Sequence, residues 1–228
     1  LLKSDAIKII YTLNKIEQDI YASLHPQKIV RINTMGVFYP NQPPTKPSRN
    51  KLAVAYVGPL FRNSHKGGDL VVRFFRGIGR RYLDKVDILL AGPSDPVLCD
   101  EANRLGLKCL GRLSNMSVLK LLRDVDIMLW PVSRDVYWGG IGVTVMEAFA
   151  GNTPVASPTL IHHQGDASKL GWLIPWRERE RDVMYSLSEI LEEIIKGDVK
   201  KEPFYEGRKF YDWHVIIDNI LRDISQAT

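Results

Sequence analysis

Residues 86–91 read Val-Asp-Ile-Leu-Leu-Ala, a nearly uninterrupted apolar run that is typical of a strand buried on both faces of a parallel sheet. Short apolar runs like this one recur along the chain and alternate with amphipathic stretches of helical length. Parallel strands need crossover connections between them, which are usually helices. The alternation therefore predicts an α/β fold with a doubly wound, Rossmann-like parallel sheet.

The apolar runs and the stretches between them locate the individual elements. The predicted strands are Ile7–Leu13, Lys28–Asn33, Leu52–Val57, Val86–Ala91, Lys108–Leu110, Ile127–Pro131, Pro154–Ala156 and Trp172–Ile174. The predicted helices are Lys15–Leu24, Asp69–Tyr82, Pro96–Leu105, Ser117–Asp124, Val143–Ala150, Arg181–Lys196 and Phe204–Ile224.

The composition excludes several classes of protein. Of the 228 residues, 45% are hydrophobic and 25% are charged, which is close to the average of globular proteins and unlike a disordered chain. No apolar run approaches the length of a transmembrane helix. Cys99 and Cys109 are too few for a disulfide scaffold or a four-thiolate zinc site, and they fit a reducing compartment. The net charge of +5 is compatible with several anionic partners and selects none of them.

A proline-rich segment divides the chain. Residues 40–50 contain four prolines with polar residues between them, which favours an extended connector. The main domain is therefore predicted to begin near Lys51, and residues 1–39 to belong to a preceding domain. Because the first residue is Leu1, we expect the chain to be a fragment or a processed form.

In doubly wound sheets, ligands bind beyond the carboxyl ends of the strands, so the loops that follow strands are the candidate sites. The first such loop runs from Gly58 to Gly67-Gly68 and contains Arg62 and Lys66. Gly58 allows close approach to the backbone, and the two basic residues add positive charge where a helix begins. The Gly-Lys-Ser/Thr order of a P-loop is missing. The alternative is a glycine-capped loop with solvated basic side chains.

The second loop precedes the predicted helix Val143–Ala150. It contains Gly140, Ile141 and Gly142, followed by Val143 and Thr144, and this glycine pattern favours a phosphate-binding nest of backbone N–H groups.

Glu147 lies one turn into the same helix among apolar residues. A carboxylate there is costly to bury unless it accepts strong hydrogen bonds, and the paired hydroxyls of a ribose would supply them. A capping or salt-bridged glutamate, paired with Arg62 or Lys66, is the alternative.

The third loop, Gly111–Asn115, follows the predicted strand Lys108–Leu110. Ser114 or Asn115 is a candidate helix cap. Arg112, next to Leu113, either stacks on a nucleobase or is an exposed surface arginine.

Taken together, these loops resemble the carboxy-terminal, donor-binding half of a family 4 retaining glycosyltransferase of the GT-B fold. The matching segments follow the family's order along almost the whole chain: residues 28–37, Val57–Leu60 with Lys66–Gly67, Leu110–Leu113, Gly140–Ser157, Gly171–Pro175 and Phe210–Trp213. The resemblance implies that residues 1–39 are the tail of an N-terminal domain and that residues 51–203 form the nucleotide-sugar-binding domain. It also implies that residues 204–228 form a helix that packs back toward the N-terminal half.

The chain departs from the family pattern at two positions. The family has two glutamates separated by seven residues, of which the second falls on Glu147 and the first on Gly139. Asp135 is the nearest upstream acid. The arginine of the family's diphosphate loop falls on Pro59, which leaves Lys66 as the matched cation and Arg62 as a stand-in.

The resemblance implies transfer of a hexose-type sugar from a UDP-, GDP- or ADP-sugar to an acceptor, with retention at the anomeric carbon. Lys66, with Arg62, would stabilise charge on the leaving diphosphate. The donor would be bound by the residues already named in the three loops: Gly58, Lys66, Arg112, Leu113, Gly140, Ile141, Gly142, Val143, Thr144 and Glu147.

The resemblance also bears on cofactors and partners. No metal or other cofactor is expected. The expected partners are the nucleotide sugar and a sugar or lipid-linked acceptor, with peripheral membrane contact as an option and no nucleic acid, and the expected location is cytoplasmic. An alternative function is a non-catalytic nucleotide-binding or interaction module that kept the glycosyltransferase fold.

Three further features are given structural interpretations. His162 and His163 are expected to form an exposed loop pair. The basic residues between Arg73 and Lys85 are expected to be a solvated helix face, with acidic lipid as the alternative partner. The alternating charges of Arg177–Asp182 are expected to form the exposed start of a helix.

Overall fold

The computed structural model describes residues 4, 6–33, 35–134, 140–197 and 201–227. The strands of this part of the chain are β1 (Ile9–Thr12), β2 (Ile29–Ile32), β3 (Leu52–Val57), β4 (Val86–Ala91), β5 (Lys108–Gly111), β6 (Ile127–Leu129), β7 (Val155–Ala156) and β8 (Gly171–Trp172). The helices are α1 (Lys15–Leu24), α2 (Gly68–Arg76), α3 (Pro96–Arg104), α4 (Asn115–Asp124), α5 (Val143–Ala150), α6 (Ala167–Leu170), α7 (Glu180–Lys196), α8 (Pro203–Tyr211) and α9 (Trp213–Ala227).

Six parallel strands form one sheet in the order β5-β4-β3-β6-β7-β8. The predicted doubly wound parallel sheet is therefore confirmed. The chain builds outward from β3 through β4 to β5, then returns to β6 on the other side of β3 and continues to β7 and β8. The strand order thus reverses between β3 and β6. Loops that leave such a switch point diverge and open a crevice at the carboxyl edge of the sheet.

The core of the sheet is apolar on both faces, as the uninterrupted strand sequences predict. Val54 of β3 and Leu129 of β6 are fully buried, and Phe74, Phe75 and Phe149 cover the sheet from α2 and α5. Burial of side chains this large contributes about 1.5–3 kcal/mol each, which makes the sheet and its helices the rigid support of the loops at its edge.

The predicted single helix Phe204–Ile224 is wrong, because the chain breaks it into α8 and α9 at Asp212. Asp212 has an extended backbone with φ −72° and ψ 128°. Val37 donates its N–H to the Tyr211 carbonyl oxygen at 2.8 Å and accepts from the Trp213 N–H at 3.2 Å. This bridge to a distant segment uses backbone groups that a continuous helix would pair within itself.

The predicted helix Asp69–Tyr82 is also shorter than expected. It ends at Arg76 with Gly77 as its cap and continues as a separate 3-10 turn, Ile78–Tyr82. The short elements Pro158–His162, a 3-10 turn, and α6 were not predicted.

The N-terminal segment forms a separate two-stranded parallel sheet, β1-β2, on which α9 packs. The Tyr11 hydroxyl donates to Asp223 Oδ2 at 3.2 Å. The proline-rich segment is anchored by Lys46, whose partly buried ammonium donates to the carbonyl oxygens of Leu122 and Gly151 at 3.4 and 3.2 Å. The domain boundaries at residues 39, 50 and 203 stay predictions.

Cys99 of α3 and Cys109 of β5 form a disulfide. Disulfides are rare in reducing compartments, so the two cysteines do not support the expectation of a reducing compartment. The cytoplasmic location stays a prediction.

Candidate functional site

A cleft of about 430 Å³ opens at the carboxyl edge of the sheet, where the strand order reverses. It brings together the three loops that the sequence singled out, although they are far apart along the chain. Its lining residues are Val57, Gly58, Pro59, Lys66, Ala91, Gly92, Pro93, Arg112, Leu113, Val118, Trp130, Val143 and Thr144.

The loop after β3 reaches the cleft through two glycines in close backbone contact. Gly58 donates its N–H to the Ala91 carbonyl oxygen at 2.8 Å. A Cβ atom on Gly92 would lie 2.0 Å from the Gly58 carbonyl oxygen. The loops after β3 and β4 can therefore approach each other only because Gly92 has no side chain.

Gly67 places Lys66 at the cleft. Its φ of +79° is in the left-handed region, and a Cβ atom there would lie 2.1 Å from the Pro131 carbonyl oxygen. The Lys66 Nζ lies 5.4 Å from the ring centroid of Trp130, a geometry in which the ring attracts the cation. Trp130 is 3% exposed and forms part of the cleft lining. Its sequence pattern indicated only a core residue, although its position just after a strand was a usable signal.

The glycine loop before α5 supplies backbone donors. Gly142 is the N-cap of α5 and offers no side-chain cap. The N–H groups of Val143 and Thr144 have no acceptor in the helix, because they belong to its first turn, and the described residues offer them none. These N–H groups and the positive end of the helix dipole make this edge of the cleft favourable for an anion. Gly140 and Ile141 are buried and do not line the cleft.

Glu147 lies one turn further into α5 and is half-buried. Burial raises the pKa of its carboxyl group. Within the described residues, no side chain forms the capping contact or the ion pair that was the alternative for this position. Glu147 does not line the cleft. It lies one helical turn beyond Val143, which does line the cleft.

Arg112 and Leu113 line the opposite side of the cleft. Gly111 holds this loop in place with a left-handed φ of +66° and accepts a hydrogen bond from Gly92 N at 2.8 Å. Ser114 caps α4 by accepting from Ser117 N at 3.2 Å, as predicted. The exposed guanidinium of Arg112 and the half-buried Leu113 form a polar and an apolar surface on which a flat ring could stack.

Some predicted residues are not brought to the cleft. Arg62 is exposed at the tip of the loop after β3 and does not line the cavity. Asp135, Trp138 and Gly139 lie outside the described residues.

The expectation of an exposed histidine pair is wrong for His163, whose side chain is fully buried. Its Nδ1 lies 2.6 Å from the Tyr211 hydroxyl and its Nε2 lies 3.3 Å from Glu206 Oε1. Burial lowers the pKa of this imidazole more than the neighbouring Glu206 raises it. The reason for the error is α8, which packs over the loop after β7 from a distant part of the sequence.

The basic stretch that begins at Arg73 forms ion pairs with acidic residues of the chain. Arg73, Arg76 and Arg81 pair with Glu180, Glu101 and Glu192. Contact of this stretch with a membrane stays a prediction.

The described ranges contain no group of three or more His, Cys, Asp and Glu side chains arranged to hold a metal ion. Of the helices that the structure describes, none has the length and apolar character that a membrane span requires.

A family model described as "Glycosyl transferases group 1" matches residues 51–193. No match was found among curated proteins.

Three solved structures share the fold. S. aureus TarM, in complex with Fondaparinux, alpha-GlcNAc-glycerol and UDP, has a TM-score of 0.67 at 14% identity, with 93% of this chain and 43% of TarM covered. The pneumococcal O-GlcNAc transferase GtfA, in complex with UDP and GlcNAc, has a TM-score of 0.68 at 10% identity, with 98% of this chain and 46% of GtfA covered. Anabaena HepE, in complex with UDP, has a TM-score of 0.68 at 14% identity, with 96% of this chain and 64% of HepE covered. The chain spans less than two thirds of the length of each of these proteins.

Proposed function

Because the chain belongs to the group 1 glycosyl transferases, we propose that its cleft binds a nucleotide-diphosphate sugar. We further propose that the chain is the donor-binding half of a family 4 retaining GT-B enzyme that transfers a hexose-type sugar. The observation that carries the proposal is the meeting of Lys66, the first-turn N–H groups of α5 and the Arg112-Leu113 loop around one cavity at the switch point of the sheet.

The diphosphate would lie between Lys66 and α5. Lys66, Val143 and Thr144 all line the cavity. Fixed donors of this kind, aimed at charge that develops on a leaving group, stabilise a transition state without reorganising when the bond breaks. Departure of the nucleoside diphosphate from the sugar is the step that these groups would accelerate. The resemblance to GT-B enzymes supports chemistry in which protein groups, rather than a resident metal, meet this charge.

The nucleoside would extend from the diphosphate toward β5. Arg112, Leu113 and Val118 would contact the base. Glu147, a half-buried carboxylate with a raised pKa and no partner in the described part of the chain, would accept hydrogen bonds from the two ribose hydroxyls. UDP is the proposed nucleotide, because TarM, GtfA and HepE are each described in complex with UDP.

Calorimetric titration with UDP, GDP and ADP, each compared with its nucleoside, tests the proposal. We expect UDP to bind at least about tenfold more tightly than uridine, since ionic hydrogen bonds to the diphosphate contribute about 1.5–3 kcal/mol each. A folded chain that binds no diphosphate better than its nucleoside would overturn the proposal.

A non-catalytic nucleotide-binding module is the second candidate. It is favoured by Pro59, which stands where the family has an arginine, and by the exposure of Arg62 away from the cleft. The two candidates differ in turnover. A longer form of the protein that includes an N-terminal half should release UDP from its sugar donor in the presence of acceptor if it is an enzyme, and should only bind the donor if it is not.

A further inference from the structure

The turn that carries Lys66 is held from behind by Arg177, a residue of the segment between β8 and α7. Only 14% of the Arg177 side chain is exposed, although its alternating-charge sequence predicted a solvated helix start. Its Nη2 donates to Asp69 Oδ2 at 2.8 Å, and its Nη1 donates to the Ser64 carbonyl oxygen. Its own N–H donates to the Val132 carbonyl oxygen at 3.1 Å, which fixes the backbone from which the side chain extends.

Asp69 is the anchor of this contact. Its side chain is 6% exposed at the start of α2, and its Oδ2 also accepts from the Asn63 N–H at 3.2 Å. A carboxylate buried this deeply is costly unless cations lie against it. Arg177 is the closer cation, and Arg73 Nη2 lies 3.4 Å from the same Oδ2 atom. The planar guanidinium of Arg177 bridges this carboxylate and the Ser64 carbonyl at the same time, which the single ammonium of a lysine cannot reproduce with the same geometry.

Ser64 connects this anchor to Lys66. The carbonyl oxygen that Arg177 binds also accepts from the Gly67 N–H at 2.9 Å, and the Ser64 hydroxyl oxygen accepts from the Lys66 N–H at 3.3 Å. Both hydrogen bonds close the turn that contains Lys66. Arg177 therefore fixes one end of the turn, while Gly67, pressed against Pro131, fixes the other.

We propose that Arg177 is a positioning residue for the donor site: through Ser64 and Asp69 it holds Lys66 in the orientation that meets the donor diphosphate. This inference rests on the proposed function. Arg177 is not itself a diphosphate ligand, because its guanidinium donates to two acceptors of the protein and it does not line the cleft.

The test compares Arg177→Ala and Arg177→Lys with Arg179→Ala. Arg179 is two residues away, is 73% exposed and pairs only with the partly exposed Asp182 among the described residues, so it is a matched control for loss of an arginine. For Arg177→Ala we expect about a tenfold loss of UDP affinity with uridine affinity unchanged, which corresponds to about 1.4 kcal/mol. Arg177→Lys should recover only part of this loss, and Arg179→Ala should lose nothing.

A double-mutant cycle separates positioning from general destabilisation. In a Lys66→Ala background, Arg177→Ala should cause no further loss of UDP affinity, because the group that it orients is already absent. Losses that add in the double variant, or equal losses for UDP and uridine, would overturn the inference.

Hydrogen exchange without ligand keeps the inference distinct from the proposed function. Arg177→Ala, or Arg177→Lys if the alanine variant does not fold, should accelerate amide exchange in residues 60–68 relative to Arg179→Ala. If the wild-type protein does not bind UDP more tightly than uridine, the proposed function is contradicted. Faster exchange in the Arg177 variant would then still show that Arg177 supports the turn. Unchanged exchange would overturn the role of Arg177 itself.

Discussion

The Nζ of Lys66 lies 5.4 Å from the ring centroid of Trp130, so the cation that follows β3 rests on the aromatic ring that follows β6. The two residues are far apart in the sequence and meet because β3 and β6 are neighbours at the switch point. The ring removes water from one side of the ammonium, which strengthens its attraction for an anion in the cleft.

Lys66→Ala should weaken UDP binding by about tenfold to a hundredfold, because one ionic hydrogen bond of about 1.5–3 kcal/mol is lost, and should leave uridine binding unchanged. Calorimetric titration with both ligands checks this. Lys201→Ala is the matched control, since Lys201 Nζ lies 4.7 Å from the ring centroid of Trp172, outside the cleft. Equal losses for UDP and uridine in Lys66→Ala would mean that Lys66 has a structural role only.

Glu147→Ala should weaken UDP and uridine by the same factor, about tenfold, because the ribose is common to both and the carboxylate would accept from its hydroxyls. Calorimetric titration measures the affinities of UDP, uridine and their 2′-deoxy forms for wild type and Glu147→Ala. The loss of affinity on Glu147→Ala should be smaller for the 2′-deoxy forms than for UDP and uridine. Glu189→Ala, an exposed glutamate on α7, is the control. A folded Glu147→Ala variant with wild-type uridine affinity would contradict the assignment.

Gly67→Ala should lower the unfolding free energy more than Gly106→Ala does. Both glycines have a positive φ, +79° and +87°, but a Cβ atom on Gly67 would lie 2.1 Å from Pro131 O whereas nothing lies within 4 Å at Gly106. Gly106→Ala should therefore cost only about 1–2 kcal/mol of unfolding free energy from its backbone conformation. Gly67→Ala should cost about 2 kcal/mol more and should also lower UDP affinity, since the turn beside Lys66 must move. Urea unfolding and UDP titration measure both effects, and equal stabilities for the two variants would contradict this account.

Glu206 should make stability depend on pH in acid. Burial raises the pKa of its carboxyl group, but hydrogen bonds from Lys209, Asp166 N and His163 outweigh burial and lower the pKa to about 2. Because this lies below the ordinary value of 4.5, the unfolded chain binds more protons between these two pH values. The stabilisation is therefore complete above about pH 4.5 and is lost as the pH falls toward 2.

Glu206→Gln should lower the unfolding free energy by about 2 kcal/mol at pH 6, and the gap from wild type should shrink as the pH falls to about 3. Urea unfolding at several pH values measures the gap, with Glu189→Gln as the exposed control. A gap that stays constant across this range would show that the ionised carboxylate is not what stabilises the fold.

Much of the architecture was predictable because each element shows its own hydrophobic periodicity in the sequence. The bounds of β3, β4 and α5 agree with the prediction, since continuous apolar runs and glycine boundaries are local signals. The break at Asp212 was not predictable in this way. It depends on hydrogen bonds between the Val37 backbone and Tyr211 and Trp213, and no local pattern in α8 or α9 indicates this partner.

The candidate site divides in the same manner. The sequence by itself determined the parallel sheet, the glycine-rich loops at the strand ends, and Lys66 and Arg112 as residues that the structure then places in one cleft, because residue type and position after a strand are properties of the chain. Only the tertiary structure decided that Trp130 lies under Lys66, that His163 is buried beneath α8, and that Arg177 reaches Ser64 and Asp69. These contacts join segments far apart in sequence, and their energies depend on burial and direction, which arise only when the elements pack together.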